Sequence, residues 1–278
     1  MQPPLIRFGH GPDADDAFVF EPLVHGRVST GGLELLHSHL PFDELNRRAG
    51  GRDPFEVTML SVASLARLTH RWLALPFGGS FVRTMGPTVV ARRLMRPRDL
   101  AGALVAVPGR GTTAALLLRL FDPELRTVVV PYAEIAEAVA RRHVDAGVVI
   151  HEGQVDFTRH GLVRVLDLGR RWKRVHRLPT PLAVCAVRAD LPAELRVLVV
   201  AVLERSLAAA RADPQPALEF ARRFDGGLGG DTAERLVEEY VSEDTYRLGE
   251  RARAAVELLV RQAQALDAPP ALAFADAA

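Results

Sequence analysis

Three carboxylates crowd the turn between the first expected strand and the first expected helix. Residues 6–8 are predicted to form a short strand, and Asp13, Asp15 and Asp16 stand where the next helix should begin. One carboxylate at such a position can cap a helix and interact with the positive end of its dipole. Three acids within four positions exceed what a cap needs. The alternative is that this turn lines a ligand cleft beyond the carboxyl ends of the strands, where the acids could exchange protons with a ligand.

A histidine follows an entirely apolar expected strand at residues 146–150. From this strand end, the imidazole of His151 would point into whatever the sheet edge encloses. Because an imidazole titrates near neutrality, His151 is a candidate general base. A structural histidine held by hydrogen bonds is the alternative. Glu152 would face the opposite side of the sheet if the strand continued.

Hydroxyl side chains stand at two further strand ends. The loop Pro-Gly-Arg-Gly at residues 108–111 precedes Thr112 and Thr113, which open an apolar helix. Free N–H groups at a helix start bind anions, so this loop could hold a carboxylate. Ordinary N-capping by Thr112 is the alternative, and the lysine of a P-loop is absent. Ser61, after the strand expected at residues 55–60, either lines the same cleft or caps the following helix.

Other reactive side chains show no pattern typical of a metal site or a nucleophile. His37 and His39 could share one face of a strand, but no third ligand is evident. The sequence has no Gly-x-Ser-x-Gly elbow. Cys185 lies in an apolar strand, where we expect it to be buried and unreactive. We therefore expect no metal site.

Composition and charge restrict the classes of partner. The 278 residues are 48% hydrophobic, enough for one large or two modest domains. The 35 basic and 34 acidic residues give a net charge of +1, which favours neither nucleic acid nor an anionic membrane as a partner. A single cysteine excludes an internal disulfide. No secretory signal and no run long enough to span a bilayer is evident, so we expect a cytoplasmic protein.

Alternating strands and helices must position these residues. The order of apolar runs and breakers predicts α/β architecture with largely parallel sheets, with a second β-α-β-α-β unit at residues 93–169. Two strands, at residues 88–92 and 184–188, are expected to cross between two lobes, with the ligand cleft between them. The expected division is residues 1–92 with 186–278 for lobe 1, and residues 93–185 for lobe 2.

Four motifs carry a resemblance to a known family. They are the opening turn Gly11-Pro12-Asp13-Ala14-Asp15-Asp16-Ala17-Phe18, the strand end Val57-Thr58-Met59-Leu60-Ser61, the loop Pro108-Gly109-Arg110-Gly111-Thr112-Thr113-Ala114 and the turn Ile150-His151-Glu152. On these residues the chain resembles the 1,4-dihydroxy-6-naphthoate synthase family of the futalosine route to menaquinone. The similarity covers nearly the whole chain. It implies a two-lobed fold like that of type II periplasmic binding proteins, with two crossover strands.

The resemblance also implies an activity and a site. The family cleaves cyclic de-hypoxanthine futalosine to 1,4-dihydroxy-6-naphthoate and dihydroxyacetone, with no metal or organic cofactor. By this resemblance the protein would be a carbon–carbon lyase that binds a small-molecule carboxylate. Its proton acceptor would be His151 and its acid/base partner Asp16. The implied substrate-binding residues are Met59, Leu60, Ser61, Thr112 and Thr113.

The opening turn departs from the family pattern. The family's serine, cysteine and asparagine correspond to Gly11, Asp13 and Asp15, and a common lysine corresponds to Met59. The turn is therefore more acidic and has fewer donors than the pattern implies. Two alternatives stay open: a non-catalytic solute-binding paralogue, and an enzyme of the same route that dehydrates chorismate. The Ile-His-Glu match favours the lyase.

Overall fold

Two open sheets, each covered by helices, form the two lobes of the protein. The structure is a computed structural model and describes residues 3–267. The strands are β1 (Leu5–His10), β2 (Glu34–His39), β3 (Val57–Ser61), β4 (Trp72–Ala74), β5 (Ser80–Val82), β6 (Thr88–Ala91), β7 (Leu104–Val107), β8 (Arg126–Val129), β9 (Ala146–Val149), β10 (Val163–Asp167) and β11 (Thr180–Arg188). The α-helices are α1 (Ala14–Val24), α2 (Phe42–Gly50), α3 (Val62–Leu68), α4 (Thr113–Phe121), α5 (Ile135–Ala140), α6 (Gly153–Asp156), α7 (Leu168–His176), α8 (Ala193–Ala212), α9 (Pro214–Ala221), α10 (Thr232–Tyr240), α11 (Glu243–Tyr246) and α12 (Glu250–Asp267).

The sheet of lobe 1 has the order β2-β1-β3-β11-β4, with β5 also paired to β11. The first three strands run parallel to each other, and β11 is antiparallel to β3. Both β3 and the middle of β11 are buried, which explains why most of their residues are apolar. Helices α8, α9 and α10 pack on α1, so the C-terminal helices complete this lobe.

The sheet of lobe 2 has the order β10-β6-β9-β7-β8. Strand β7 runs parallel to β8 and β9, whereas β6 is antiparallel to β9 and β10. The carboxyl ends of β7 and β9 therefore meet at one edge of the sheet. The residues that follow them, the loop before α4 and the turn before α6, face lobe 1 from this edge. The expected α/β fold with two lobes and two crossings is confirmed.

The two segments in which the chain passes from one lobe to the other are called the crossings here, and they touch each other at a pair of glycines. A Cβ atom added to Gly169 would lie 2.6 Å from Cα of Gly86, so only glycines permit this backbone contact. Gly86 lies between β5 and β6, and Gly169 lies in the first turn of α7, shortly before β11. The carboxylate of Glu239 accepts hydrogen bonds from three backbone N–H groups of residues 83–85 and from the hydroxyl of Thr84. The first crossing is thereby fixed to α10.

Hydrogen bonding assigns the crossover strands to sheets in a way that differs from the expected boundaries. Strand β6, expected in lobe 1 as part of residues 1–92, pairs with lobe 2 strands. Strand β11 pairs along its length with lobe 1 strands, although the expected boundary divides it after Cys185. The residues of the crossover strands β6 and β11 do not indicate which sheet each strand joins. We propose boundaries before Thr88 and before Thr180; residues 1–2 and 268–278 of the expected lobe 1 lie outside the described residues.

None of the helices within residues 3–267 is both long and apolar enough to cross a lipid bilayer.

Candidate active site

A cleft between the lobes brings together strand ends from both sheets. It contains about 500 Å³ of empty space, counting the solvent at its mouth. Lobe 1 contributes α1, α2, β3, β5, β11 and α10, and lobe 2 contributes the start of α4 and the turn after β9. The lining residues are Asp15, Phe42, Ser61, Ser80, Pro87, Thr112, Thr113, Ala114, Ile150, His151, Leu182, Ala183 and Tyr240.

The three acids of the opening turn point in three directions. Asp13 caps α1, because its Oδ1 accepts a hydrogen bond of 3.2 Å from the backbone N–H of Asp16. Asp15 lines the cleft and accepts from the hydroxyl of Ser80 at 3.2 Å. Asp16 turns back into the loop, where its Oδ2 accepts from the N–H of Gly11 at 2.6 Å. The turn therefore both caps a helix and lines the cleft, which were the two alternatives.

His151 faces this turn across the cleft. Its Nε2 lies 3.8 Å from Oδ2 of Asp13, and its side chain is 15% exposed. The rings of Phe42, Tyr132 and Tyr240 surround it at centroid distances of 6.2, 5.6 and 6.3 Å. The imidazole is therefore flanked by aromatic rings on several sides.

The backbone also leaves the strand at this residue. β9 ends at Val149, and His151 has a φ of 48°, in the left-handed region that non-glycine residues rarely adopt. Glu152 consequently lies in a turn rather than on the opposite face of a continued strand.

Of the two acids, Asp13 rather than Asp16 is the one that lies close to His151 in this structure. Asp16 lines neither the main cleft nor the smaller cavity of about 260 Å³ beside it, whereas Asp13 lines the smaller cavity together with His151. Sequence spacing alone could not show which of these acids faces the cleft, because successive residues of a helix point about 100° apart. The family position was therefore the sole guide to Asp16.

Burial changes the acidity of all three carboxyls. Burial raises the pKa of Asp13 to about 6, and it raises the pKa of Asp15 and Asp16 well above the usual value. The charge of Asp13 raises the pKa of the other two carboxyls further. Asp13 Oδ2 is buried and has no hydrogen-bond donor within residues 3–267. A proton on Asp13 or Asp15 allows the two carboxyls to hydrogen-bond to each other.

Thr112 and Thr113 line the cleft, but their hydroxyls already form hydrogen bonds within the protein. Thr112 caps α4 by accepting from the N–H of Ala115 at 3.3 Å, and it donates to Gly109 O at 2.7 Å. Thr113 donates to Leu182 O of lobe 1 at 2.6 Å. The first N–H groups of a helix have no intrahelical partner, so the amides of Thr113 and Ala114 are the donors that this helix start offers to an anion.

Ser61 is held in the cleft by an amide side chain that sequence analysis did not single out as part of the site. Asn46 donates to Ser61 Oγ at 2.9 Å and accepts from the Ser61 N–H at 3.0 Å. Asn46 also donates to Gly111 O of lobe 2 at 3.3 Å. Its signal in the sequence is a polar residue beside Leu45 on the buried side of α2. Ser61 makes no capping bond to α3, so that alternative is wrong.

Met59 and Leu60 do not line the cleft. The side chain of Met59 packs in the core that contains Phe8 and Phe20, and Leu60 packs in a second core with Trp72. Both are at most 1% exposed. Because successive side chains of a strand point to opposite faces, the residues that precede Ser61 are directed into the two cores. In this structure they support the cleft without lining it.

Tyr240 is a further cleft residue that the sequence did not reveal. Its hydroxyl donates to Oε1 of Gln154, and the Gln154 amide donates to Gly86 O at the crossing. The pair links α10 of lobe 1 to α6 of lobe 2. Burial raises the pKa of Tyr240 well above its usual value, so its phenol stays protonated. Burial likewise raises the pKa of the Cys185 thiol, as expected of an unreactive cysteine.

Asp13, Asp15 and His151 could also hold a metal ion. One ligand atom from each lies within 4.8 Å of the others. The sequence did not predict this group of three side chains, because the topology brings together residues that lie far apart in sequence.

Comparison with known proteins indicates the family to which the chain belongs. A profile of the menaquinone biosynthesis family matches residues 6–265. A 1,4-dihydroxy-6-naphthoate synthase of Thermus thermophilus is 39% identical over 262 residues, which cover 94% of this chain and 94% of the relative. A Streptomyces coelicolor protein of the same name is 32% identical and covers 98% of this chain and 97% of its own.

Solved structures agree with this assignment. A crystal structure of an Archaeoglobus fulgidus protein matches with a TM-score of 0.88 and 38% identity, over 94% of this chain and 97% of the other. The alkanesulfonate-binding protein of Xanthomonas axonopodis matches with a TM-score of 0.67 at 14% identity, over 94% of both chains, and shows the shared two-lobed fold. The resemblance found in the sequence is confirmed: the chain belongs to the menaquinone biosynthesis family of 1,4-dihydroxy-6-naphthoate synthases.

Proposed function

We propose that this protein is a carbon–carbon lyase that converts cyclic de-hypoxanthine futalosine to 1,4-dihydroxy-6-naphthoate and dihydroxyacetone by general acid–base catalysis without a cofactor. The observation that carries the proposal is the placement of His151 opposite the carboxyls of Asp13 and Asp15 in a cleft between the lobes. A base and a pair of acids on opposite walls are suited to remove one proton from the substrate and supply another.

His151 would take a proton from carbon, since aromatisation of the released ring requires loss of a C–H proton. Phe42 and Tyr132 flank its imidazole. When the carbon–carbon bond breaks, its electron pair stays with one of the two fragments, and that fragment must take up a proton. The carboxyl pair of Asp13 and Asp15 would supply it, because burial favours the protonated form of each group.

The substrate carboxylate would bind at the start of α4, which lines the same cleft as Asp15 and His151. The amides of Thr113 and Ala114 and the hydroxyl of Ser61 are the donors there. An anion there interacts favourably with the positive end of the α4 dipole. Binding of the carboxylate at this helix start would orient the substrate, with its reacting part toward His151.

The experiment is incubation of the purified protein with cyclic de-hypoxanthine futalosine, followed by chromatographic detection of both products. Appearance of 1,4-dihydroxy-6-naphthoate with one equivalent of dihydroxyacetone supports the lyase. A parallel incubation with chorismate tests the dehydratase alternative. Calorimetric binding of the futalosine substrate without turnover would instead indicate the solute-binding paralogue.

A further inference from the structure

We propose that Asp13, Asp15 and His151 form a binding site for a divalent transition-metal ion, and that an ion bound there inhibits the enzyme. The binding claim is independent of the proposed reaction. The inhibition claim rests on the proposed function, because it assumes that His151 acts as the base.

The distances suit a metal after a small adjustment. The three ligand atoms lie within 4.8 Å of one another, and His151 Nε2 and Asp13 Oδ2 are 3.8 Å apart. Tetrahedral zinc with bonds of about 2.0 Å to nitrogen and oxygen places its ligand atoms about 3.3 Å apart. Side-chain movements of up to about 1 Å would bring the three atoms to that spacing.

An unpartnered buried oxygen faces the position where the ion would sit. Asp13 is 3% exposed, and when Asp13 and Asp15 are both ionised its Oδ2 receives no hydrogen bond from residues 3–267. Its other oxygen is already used by the cap of α1. A buried anionic oxygen without a partner is unfavourable, and a dication placed between Asp13 and Asp15 would neutralise both carboxylates.

The ligands are held before any ion arrives. The helix cap holds Asp13, the Ser80 hydroxyl holds Asp15, and the rings of Phe42 and Tyr132 flank His151. Asp15 and His151 also line the open cleft, so solvent can supply the remaining ligand. Three protein ligands with one open position are typical of accessible zinc sites.

The donor set selects the class of ion. One imidazole nitrogen with two carboxylates suits Zn²⁺, Co²⁺ and similar borderline ions, whereas Mg²⁺ and Ca²⁺ prefer oxygen ligands alone. Asp16 stays outside the set because its carboxylate is bound to the Gly11 N–H. An ion on Nε2 of His151 would occupy the lone pair that must accept the substrate proton, so substrate and metal should compete.

The test is titration of chelator-treated protein with Zn²⁺ by calorimetry and with Co²⁺ by visible absorption. We expect one ion per chain, and a tenfold or greater loss of affinity in Asp13→Asn, Asp15→Asn and His151→Asn. Asparagine retains the helix cap and the acceptor for Ser80, so these variants should fold, which melting curves would verify. Asp16→Asn is the matched control, with affinity within about threefold of the parent, since it alters an acid of the same turn that is not a ligand.

A second control addresses the other histidines. His37→Phe removes an imidazole from a separate group of three, His10, His37 and His39, and should leave the stoichiometry unchanged. Loss of binding in His37→Phe with retention in Asp13→Asn would overturn the site, as would an equal loss in Asp16→Asn or no saturable binding. Turnover that is unaffected when Co²⁺ spectra show a full site would overturn the inhibition claim alone. Absence of turnover on the futalosine substrate would refute the proposed function without affecting the metal titration.

Discussion

Nε2 of His151 lies 3.8 Å from Oδ2 of Asp13, although the two residues belong to different lobes. His151 follows a strand of lobe 2, and Asp13 caps the first helix of lobe 1. Under the proposed function these two side chains act together, and a pair divided in this way is complete only when the lobes are closed. We therefore expect opening of the cleft to separate the pair and to couple lobe closure to chemistry.

Replacement of the histidine tests its role as base. His151→Asn retains a similar size and a hydrogen-bonding group but cannot accept a proton. We expect the variant to fold and bind substrate with turnover reduced by about 10² to 10⁴, the usual contribution of a general base. The measurement is single-turnover kinetics beside calorimetric binding. His143→Asn, an exposed histidine of the same lobe, is the control; near-normal turnover in His151→Asn would contradict the assignment.

Residues at strand ends could be predicted from the sequence because their position follows from topology. In parallel α/β sheets, ligands bind beyond the carboxyl ends of strands, and Ser61, Thr112, Thr113 and His151 follow such ends. All four line the cleft. Side-chain direction within a turn has no comparable rule, which is why Asp16 was selected where the structure places Asp13 and Asp15.

Contacts between distant segments could not be predicted in this way. Tyr240 and Gln154 meet across the lobes, 86 residues apart in the chain. Neither belongs to a local pattern, since α10 is an ordinary amphipathic helix and α6 has four residues. The sheet to which β6 belongs could likewise not be predicted. It depends on where the chain passes from one lobe to the other and not on the apolar character of the strand.

The glycine contact at the crossings predicts a sensitive position. In Gly169→Ala, the new Cβ would meet Gly86 Cα at 2.6 Å and force the two crossings apart. We expect the free energy of unfolding to fall by about 1–3 kcal/mol, the usual cost of overpacking, and the lobes to open. Denaturant unfolding and small-angle scattering measure the two effects. Gly50→Ala, where the nearest atom would be 3.9 Å from the Cβ, should change neither; equal stability of both variants would argue against the contact.

Thr113 is predicted to hold the lobes together more than it binds the ligand. Its hydroxyl donates to Leu182 O at 2.6 Å, and Thr113→Val leaves this carbonyl without its donor. We expect a loss of about 1–3 kcal/mol in unfolding free energy, the cost of an unsatisfied buried polar group. Thr113→Ser keeps the donor and should lie close to the parent protein in denaturant titrations. If valine and serine have the same effect, the hydrogen bond does not stabilise the closed arrangement.

Three imidazoles pack together on lobe 1, one from β1 and two from the edge strand β2. The ring of His10 lies 4.4 Å from that of His39 and 5.9 Å from that of His37. Both ring nitrogens of His37 are buried without hydrogen-bond partners among residues 3–267. Burial lowers the pKa of His37 to about 4 and lowers those of the other two. The folded protein therefore holds neutral imidazoles that the unfolded chain would protonate near pH 6.5.

This cluster predicts that stability falls in acid. Because the pKa of His37 is lower in the folded state, the unfolded state binds the proton first, and stability is lost as pH falls from about 6.5 toward 4. A shift of this size corresponds to about 3 kcal/mol between pH 7 and pH 4. The raised pKa values of the opening-turn acids act in the opposite direction, so the measurement must be a difference between two proteins. We expect the free energy of unfolding, measured in urea, to fall by about 3 kcal/mol more over this range for the parent than for His37→Phe. The variant retains the contribution of the opening-turn acids. Parallel pH profiles for the two proteins would show that His37 is not held neutral by the fold.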